Sequence, residues 1–161
     1  MSETVDRIPA GHGPDDWGLP PGLPQQLPLD VRIPSDVRYI EGVVGVVART
    51  CAALSFPARA VNLQVPVALT EALSNAILYG NGADASKRVR VRAVVDERAL
   101  VMEVGDEGSG FDFAACLHDP TDPEQLERED GRGLFLMTRL MDRVERFSDG
   151  GNVVRLTLHR P

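Results

Sequence analysis

In the stretch LTEALSNAILYGN, Glu71 and Asn75 stand four residues apart. On a helix that spacing puts a carboxylate and an amide on one face, about 6 Å apart along the axis. Leu69, Leu73, Ala76 and Ile77 fall on the other side. A carboxylate can take a proton from water or a hydroxyl, and an amide oxygen can ligate Mg²⁺, the metal that accompanies substrate phosphates. The same pair would also suit an ordinary solvated helix face, so its weight depends on the rest of the chain. Two further stretches supply it. DEGSGFD follows an apolar run and offers Asp106 as acceptor for an exocyclic amine, with Gly108 and Gly110 letting a flat base approach the backbone. DGRGLFLM puts Gly131 and Gly133 at the start of a helix, where free N–H groups and the dipole favour phosphate. Together the three describe a nucleotide site. The chain contains no GxxxxGK[ST] and neither the HRD nor the DFG signature, so a P-loop protein and a eukaryotic-type kinase are set aside.

The elements that must position these residues follow from periodicity and punctuation. Residues 1–28 hold six of the twelve prolines and show no helical or strand period, which predicts a flexible or extended arm ahead of a domain spanning 29–161. LDVRIP alternates as a short strand does. PSDVRYIEGVVGVVARTCAALSF then predicts a helix with Ser35 as N-cap and an apolar face of Val37, Ile40, Val43, Val44 and Val47. A second helical stretch runs from about Ala58 to Tyr79, and Pro66 should kink it or mark its effective start. YGNGADAS ends it. RVRVRAVV and ALVMEVGD, separated by DER, read as paired strands. The acidic, proline-containing stretch from Phe113 to Asp130 reads as a mobile cover. GRGLFLMTRLMDRV predicts a third helix with Leu134, Met137, Leu140 and Met141 on its apolar face, and NVVRLTLH a last strand. Helices segregated from a mixed, mostly antiparallel sheet predict an α+β fold, a two-layer α/β sandwich with the helices on one face.

Composition closes off several classes. A formal charge of −7 over 161 residues argues against direct nucleic-acid binding, which needs clustered Lys and Arg. The most basic stretch, SKRVRVR, alternates with apolar residues and reads as a solvated strand face. No run of 18 apolar residues exists to span a bilayer, and the N-terminus lacks a signal-peptide pattern, so the expected location is cytoplasmic with no membrane contact. Cys51 and Cys116 lack ligand spacing and read as small buried hydrophobes. His12, His118 and His159 have no carboxylate or nucleophile pattern around them and read as surface residues, and Tyr79 as a half-buried helix-end aromatic. Trp17 could anchor a partner or rest on the domain.

The order Glu-x-x-x-Asn, Asp-x-Gly-x-Gly, Gly-x-Gly, at these intervals, resembles the ATP-binding domain shared by gyrase, heat-shock chaperone, histidine-kinase and mismatch-repair ATPases. Within that superfamily it is most similar to the single-domain anti-sigma-factor serine kinases of bacterial partner switching, over roughly Leu29 to Arg160. The resemblance implies ATP and Mg²⁺ as cofactors, with Asn75 as the metal ligand, Glu71 as base or acceptor-orienting group, and Asp106 reading the adenine amine. It implies that Gly108 and Gly110 form the adenine loop and that Gly131, Arg132 and Gly133 meet the phosphates. Asn81 and Leu134 would line the same mouth. Gly151-Asn152 stands where the superfamily commonly has Gly-Thr, so Asn152 joins the adenine-side set. A lid arginine near the γ-phosphate is expected, either Arg128 or Arg132. The implied partners are an antagonist protein with a phosphorylatable Ser or Thr, a sigma factor, and a second copy of the chain. Two other readings remain open from the residues: an ATP-binding partner switch that transfers nothing, and a histidine-kinase catalytic domain acting in trans.

Overall fold

The computed structural model describes residues 29–95, 98–108, 129–148 and 150–161, and of 129–132 the backbone only. The expectations for the arm 1–28, the DER turn, the cover up to 128, Cys116, His118 and Trp17 lie outside the described residues. Within them the chain runs β1 (Leu29–Pro34), α1 (Ile40–Ala53), α2 (Val65–Asn75), β2 (Arg88–Val95), β3 (Ala99–Gly105), α3 (Glu129–Leu140), β4 (Arg143–Ser148) and β5 (Asn152–His159). The strands form one sheet in the order β1-β2-β3-β5-β4. Every pairing is antiparallel, so the α+β sandwich stands while the expected mixed sheet is purely antiparallel among these strands.

Alternation along the strands sorts the two faces. Val89, Val91, Ala93 and Val95 of β2, Leu100, Met102 and Val104 of β3, and Val154, Leu156 and Leu158 of β5 enter one core. Against them lie Leu69 and Leu73 of α2 and Leu134 and Met137 of α3, all fully buried. Each such side chain stabilises the fold by about 1.5–3 kcal/mol. Helix α2 contacts both α1 and α3, so the helix bearing Glu71 and Asn75 is held on both flanks.

Several local expectations are corrected. Ser35 is not the cap: Asp36 accepts the Arg38 N–H at 2.9 Å and starts a 3₁₀ turn, Val37–Tyr39, ahead of α1. Ser35 is instead buried. Val37, on that turn, is 50% exposed, while Ile40, Val44, Val47 and Cys51 make the buried face. The third helix stops at Leu140, and the residues read as its tail form β4. The Met141 N–H closes the helix on Met137, and the Asp142 N–H then bonds Thr157 on β5, diverting the chain into the sheet. Pro66 sits in the first turn of α2, preceded by a wide π turn, Ala60–Gln64, where its missing N–H is accommodated. SKRVRVR is only partly a solvated face: Arg88 is exposed, Arg90 pairs with Asp30 at 2.6 Å, and Arg92 is buried 3.5 Å from Glu103.

Candidate functional site

Helix α2 presents Glu71 and Asn75 because Ala68, Leu69, Ala72 and Leu73 must face the core. Asn75 is 4% exposed, and its amide nitrogen is buried without a hydrogen-bond partner. An unpaired buried amide N–H costs about 1–3 kcal/mol, and native folds keep such a donor where a water or an anionic ligand completes it. Helix α3 closes over the same spot. A Cβ on Gly133 would lie 2.5 Å from Oε2 of Glu71 and 3.4 Å from the Asn75 amide nitrogen, so any larger residue there must displace the Glu71 carboxylate.

Immediately after Asn75 the helix widens into a π turn, Ala76–Gly80, a feature frequent at functional sites. It brings Gly80 against Asp106 at the end of β3. Asp106 is 8% exposed, and its Oδ1 accepts the Gly108 N–H at 2.9 Å and the Asn152 side-chain N–H at 3.0 Å. Among the described residues no hydrogen bond reaches Oδ2, which leaves one carboxylate oxygen as an acceptor held in fixed orientation. The junction packs closely through glycine: a Cβ on Gly80 would overlap the Asp106 carboxylate, on Gly108 the Gly80 carbonyl, and on Gly151 the Asp106 carbonyl.

Asn81 has a different place from the mouth-lining one expected. It is 2% exposed, and the protein itself uses its polar atoms: Oδ1 accepts the Glu107 N–H at 2.8 Å, while Nδ2 donates to the Arg88 carbonyl at 3.0 Å and to Ser35 Oγ at 3.3 Å. It fastens the segment after β3 to β2 and β1, with Glu107 Oε2 accepting the Arg88 N–H at 2.5 Å as a second tie. Leu134 is fully buried in the core behind the site rather than on its surface. Gly131 and Arg132 lie in the first turn of α3, which starts at Glu129, two residues before the glycine pair; acidic residues there suit the helix dipole. Gly110 and Arg128 lie outside the described residues.

The donors present fit a magnesium nucleotide. Among the described residues no group of three or more His, Cys, Asp or Glu could hold an ion by itself, so a hard cation here would draw on one amide oxygen and on phosphate oxygens. Oδ1 of Asn75 is the amide oxygen that would serve such an ion, while its unpartnered Nδ2 is a donor suited to a phosphate oxygen. A concavity of about 380 Å³ lies elsewhere, on the sheet face away from the helices, and touches this site only through Gly105, Asp106 and Glu107.

Three contributors escaped the sequence reading, Gly80 for close approach and Ser35 and Glu107 for fastening, and Gly151, placed there by resemblance, gains its close contact with Asp106 only in the structure. The only signal was glycine at the junctions YG and GG.

Comparison with known proteins bears on the family of the chain. The family described as "Histidine kinase-like ATPase domain" matches residues 33–158. A serine-protein kinase RsbW of Bacillus velezensis is 30% identical over 135 residues, covering 80% of this chain and 83% of its own. The protein of that name in Bacillus subtilis is 37% identical over 97 residues, covering 56% and 60%. An anti-sigma F factor of Clostridium perfringens is 30% identical over 98 residues, covering 60% and 69%.

Proposed function

Because the chain belongs to the histidine kinase-like ATPase family, we propose that it is an ATP-dependent serine/threonine protein kinase and anti-sigma factor, which phosphorylates a small antagonist protein and binds a sigma factor. The observation that carries the reading is the buried, unpartnered Asn75 amide nitrogen beside Glu71, where Gly133 of α3 packs over both. The names of the relatives support the kinase and anti-sigma assignments.

In this reading Oδ2 of Asp106 accepts the exocyclic amine of adenine, and the backbone at Gly80 and Gly108 lets the ring approach. The Asn75 amide oxygen would hold Mg²⁺, and Arg132 or Arg128 would serve the γ-phosphate. Magnesium ATP supplies an activated γ-phosphoryl group whose transfer asks mainly for position and charge stabilisation. Glu71 orients the acceptor hydroxyl and takes its proton as the new O–P bond forms and the bond to the ADP oxygen breaks. A homodimer belongs to the same proposal. Among the described residues no helix is long and apolar enough to cross a membrane, which fits work in the cytoplasm.

The test is incubation of the purified protein and its Asn75→Ala variant with γ-labelled Mg-ATP and lysate of the source organism. Acid-stable label on a small protein, lost in the variant, is expected. Acid-labile label would mean a histidine kinase, and no label despite ATP binding a non-catalytic switch.

A further inference from the structure

The sheet face turned away from the helices concentrates positive charge in an acidic chain. Arg32, Arg88, Arg90, Arg92, Arg143 and Arg155 all alternate onto it. Three carboxylates among them are already engaged: Asp30 with Arg90 at 2.6 Å, Glu103 with Arg92 at 3.5 Å and Arg155 at 3.1 Å, and Glu145 with Arg143 at 2.8 Å and Arg155 at 3.6 Å. Arg32 and Arg88 are exposed, make no side-chain ion pair among the described residues, and line the concavity of about 380 Å³ with Asp106, Glu107, Phe147 and Val153. They are spare cations beside a partly apolar floor.

A second observation is independent of charge. Val94 and Val101 form a small apolar cluster apart from the main core, on this same face. No described helix packs there, yet they are only 0% and 6% exposed.

We propose that the occupant of this face is the chain's own N-terminal segment, residues 1–28, docked in cis through its carboxylates. That segment carries Glu3, Asp6, Asp15 and Asp16 against Arg7 alone, complementary in sign to Arg32 and Arg88. It joins the domain at Leu29, the first residue of β1, and β1 is an edge strand of this sheet. Reach is ample: five strands span about 19 Å at 4.8 Å spacing, while the thirteen residues from Asp16 to Leu29 extend to roughly 40 Å. The docked segment adjoins Gly105–Glu107, which also line the concavity, so it sits behind the loop bearing Asp106. The proposal does not depend on the kinase reading.

Trp17 is the chain's one tryptophan, which makes the test direct in the full-length protein. Acrylamide quenching of its fluorescence is measured at low salt for the wild type, for Arg32→Glu with Arg88→Glu, for Asp15→Lys with Asp16→Lys, and for all four changes together. Shielding in the wild type is expected. Each pair of reversals should lower the docked-to-free ratio about tenfold, and the combined variant should recover it. Molar salt, with a Debye length of about 3 Å, should expose Trp17 in the wild type. Equal accessibility in all four proteins would overturn the proposal, as would shielding that grows with protein concentration, which would assign the face to a second copy. Because the second pair of changes lies outside residues 29–161, a folding defect in the first cannot mimic the result.

Discussion

Replacing Gly133 by alanine separates the chemistry of this site from its stability. The residue is the fifth of α3, and a Cβ there would lie 2.5 Å from Oε2 of Glu71. Restoring the 3.4 Å separation already found to Glu71 Cδ requires the carboxylate end to retreat by about 0.9 Å, the difference of those two distances. The obstacle is the far end of a flexible side chain, so the fold can yield at small cost. Alanine in a helix meanwhile stabilises by about 1 kcal/mol relative to glycine. The variant should therefore melt at the wild-type temperature or a few degrees above it. Displacing a catalytic group by about 1 Å can cost on the order of 10²-fold in rate, so phosphoryl transfer to the acceptor should fall by about that factor while ADP affinity, which the proposal places at Asp106, changes little. Calorimetric melting, ADP titration and single-turnover transfer of labelled phosphate measure the three quantities separately. An unchanged transfer rate in a normally folded variant would refute the placement of Glu71 in the reaction; a strongly lowered melting temperature would refute the claim that its side chain can move aside.

Four other outcomes follow from the same geometry. Asp106→Asn keeps an oxygen for the Gly108 and Asn152 donors but puts N–H groups where the free acceptor stood, so nucleotide affinity should drop about tenfold to a hundredfold with little change in melting, as titration with ADP would read. Asn81→Ala strips the Glu107 N–H, the Arg88 carbonyl and Ser35 of a shared partner, and should cost about 2–4 kcal/mol in urea unfolding. Asn75→Ala removes a buried amide that has no bond to lose from its nitrogen, so stability should hold within about 1 kcal/mol while Mg-ATP turnover disappears. Burial pushes the Cys51 thiol from 9.0 up to about 11, with the charge of Arg160 opposing. The folded state thus keeps a proton that the unfolded chain releases, and the corresponding stability is whole below pH 9 and lost as pH rises towards 11. Unfolding midpoints across that window should fall in the wild type and flatten in Cys51→Ala.

What could be read along the chain was what a local pattern encodes. Glu71 and Asn75 showed because polar residues broke an apolar helical face, and Asp106 because a carboxylate followed a strand. Strand β4 did not show, since Leu140, Met141 and Val144 continue the helical spacing; its extended state is imposed by β5, a tertiary effect that overrides local period. Ser35 was misread because two cap-forming residues stand side by side, and the choice between them is made by Asn81, 46 positions away. Arg92 looked solvated because alternation tells faces apart but not whether a face is covered. The role of Gly80 and Gly151 depends on what lies opposite them, which no window of sequence contains.

The two ends of the candidate site are built on different terms. At the Asp106 end, one carboxylate oxygen is tied down twice, Asn81 and Glu107 fasten the adjoining segment, and three glycines fix the spacing, so an incoming ring would meet a wall that need not reorganise. At the Asn75 end the fold leaves a buried amide N–H unpaired and lets α3 close on Glu71 only through the missing methyl group of Gly133. Nothing in core packing calls for that incompleteness, because alanine or leucine would fill the position without an orphaned donor. Rigid satisfaction where recognition is needed, and unsatisfied polarity where charge would arrive, is the division expected of a site that binds a base first and completes itself around phosphate and metal. It also ties the predictions together: variants at Asp106 should change affinity, variants at Asn75 and Gly133 should change turnover, and a variant of either kind that changed only the other quantity would show that the two ends have been assigned the wrong way round.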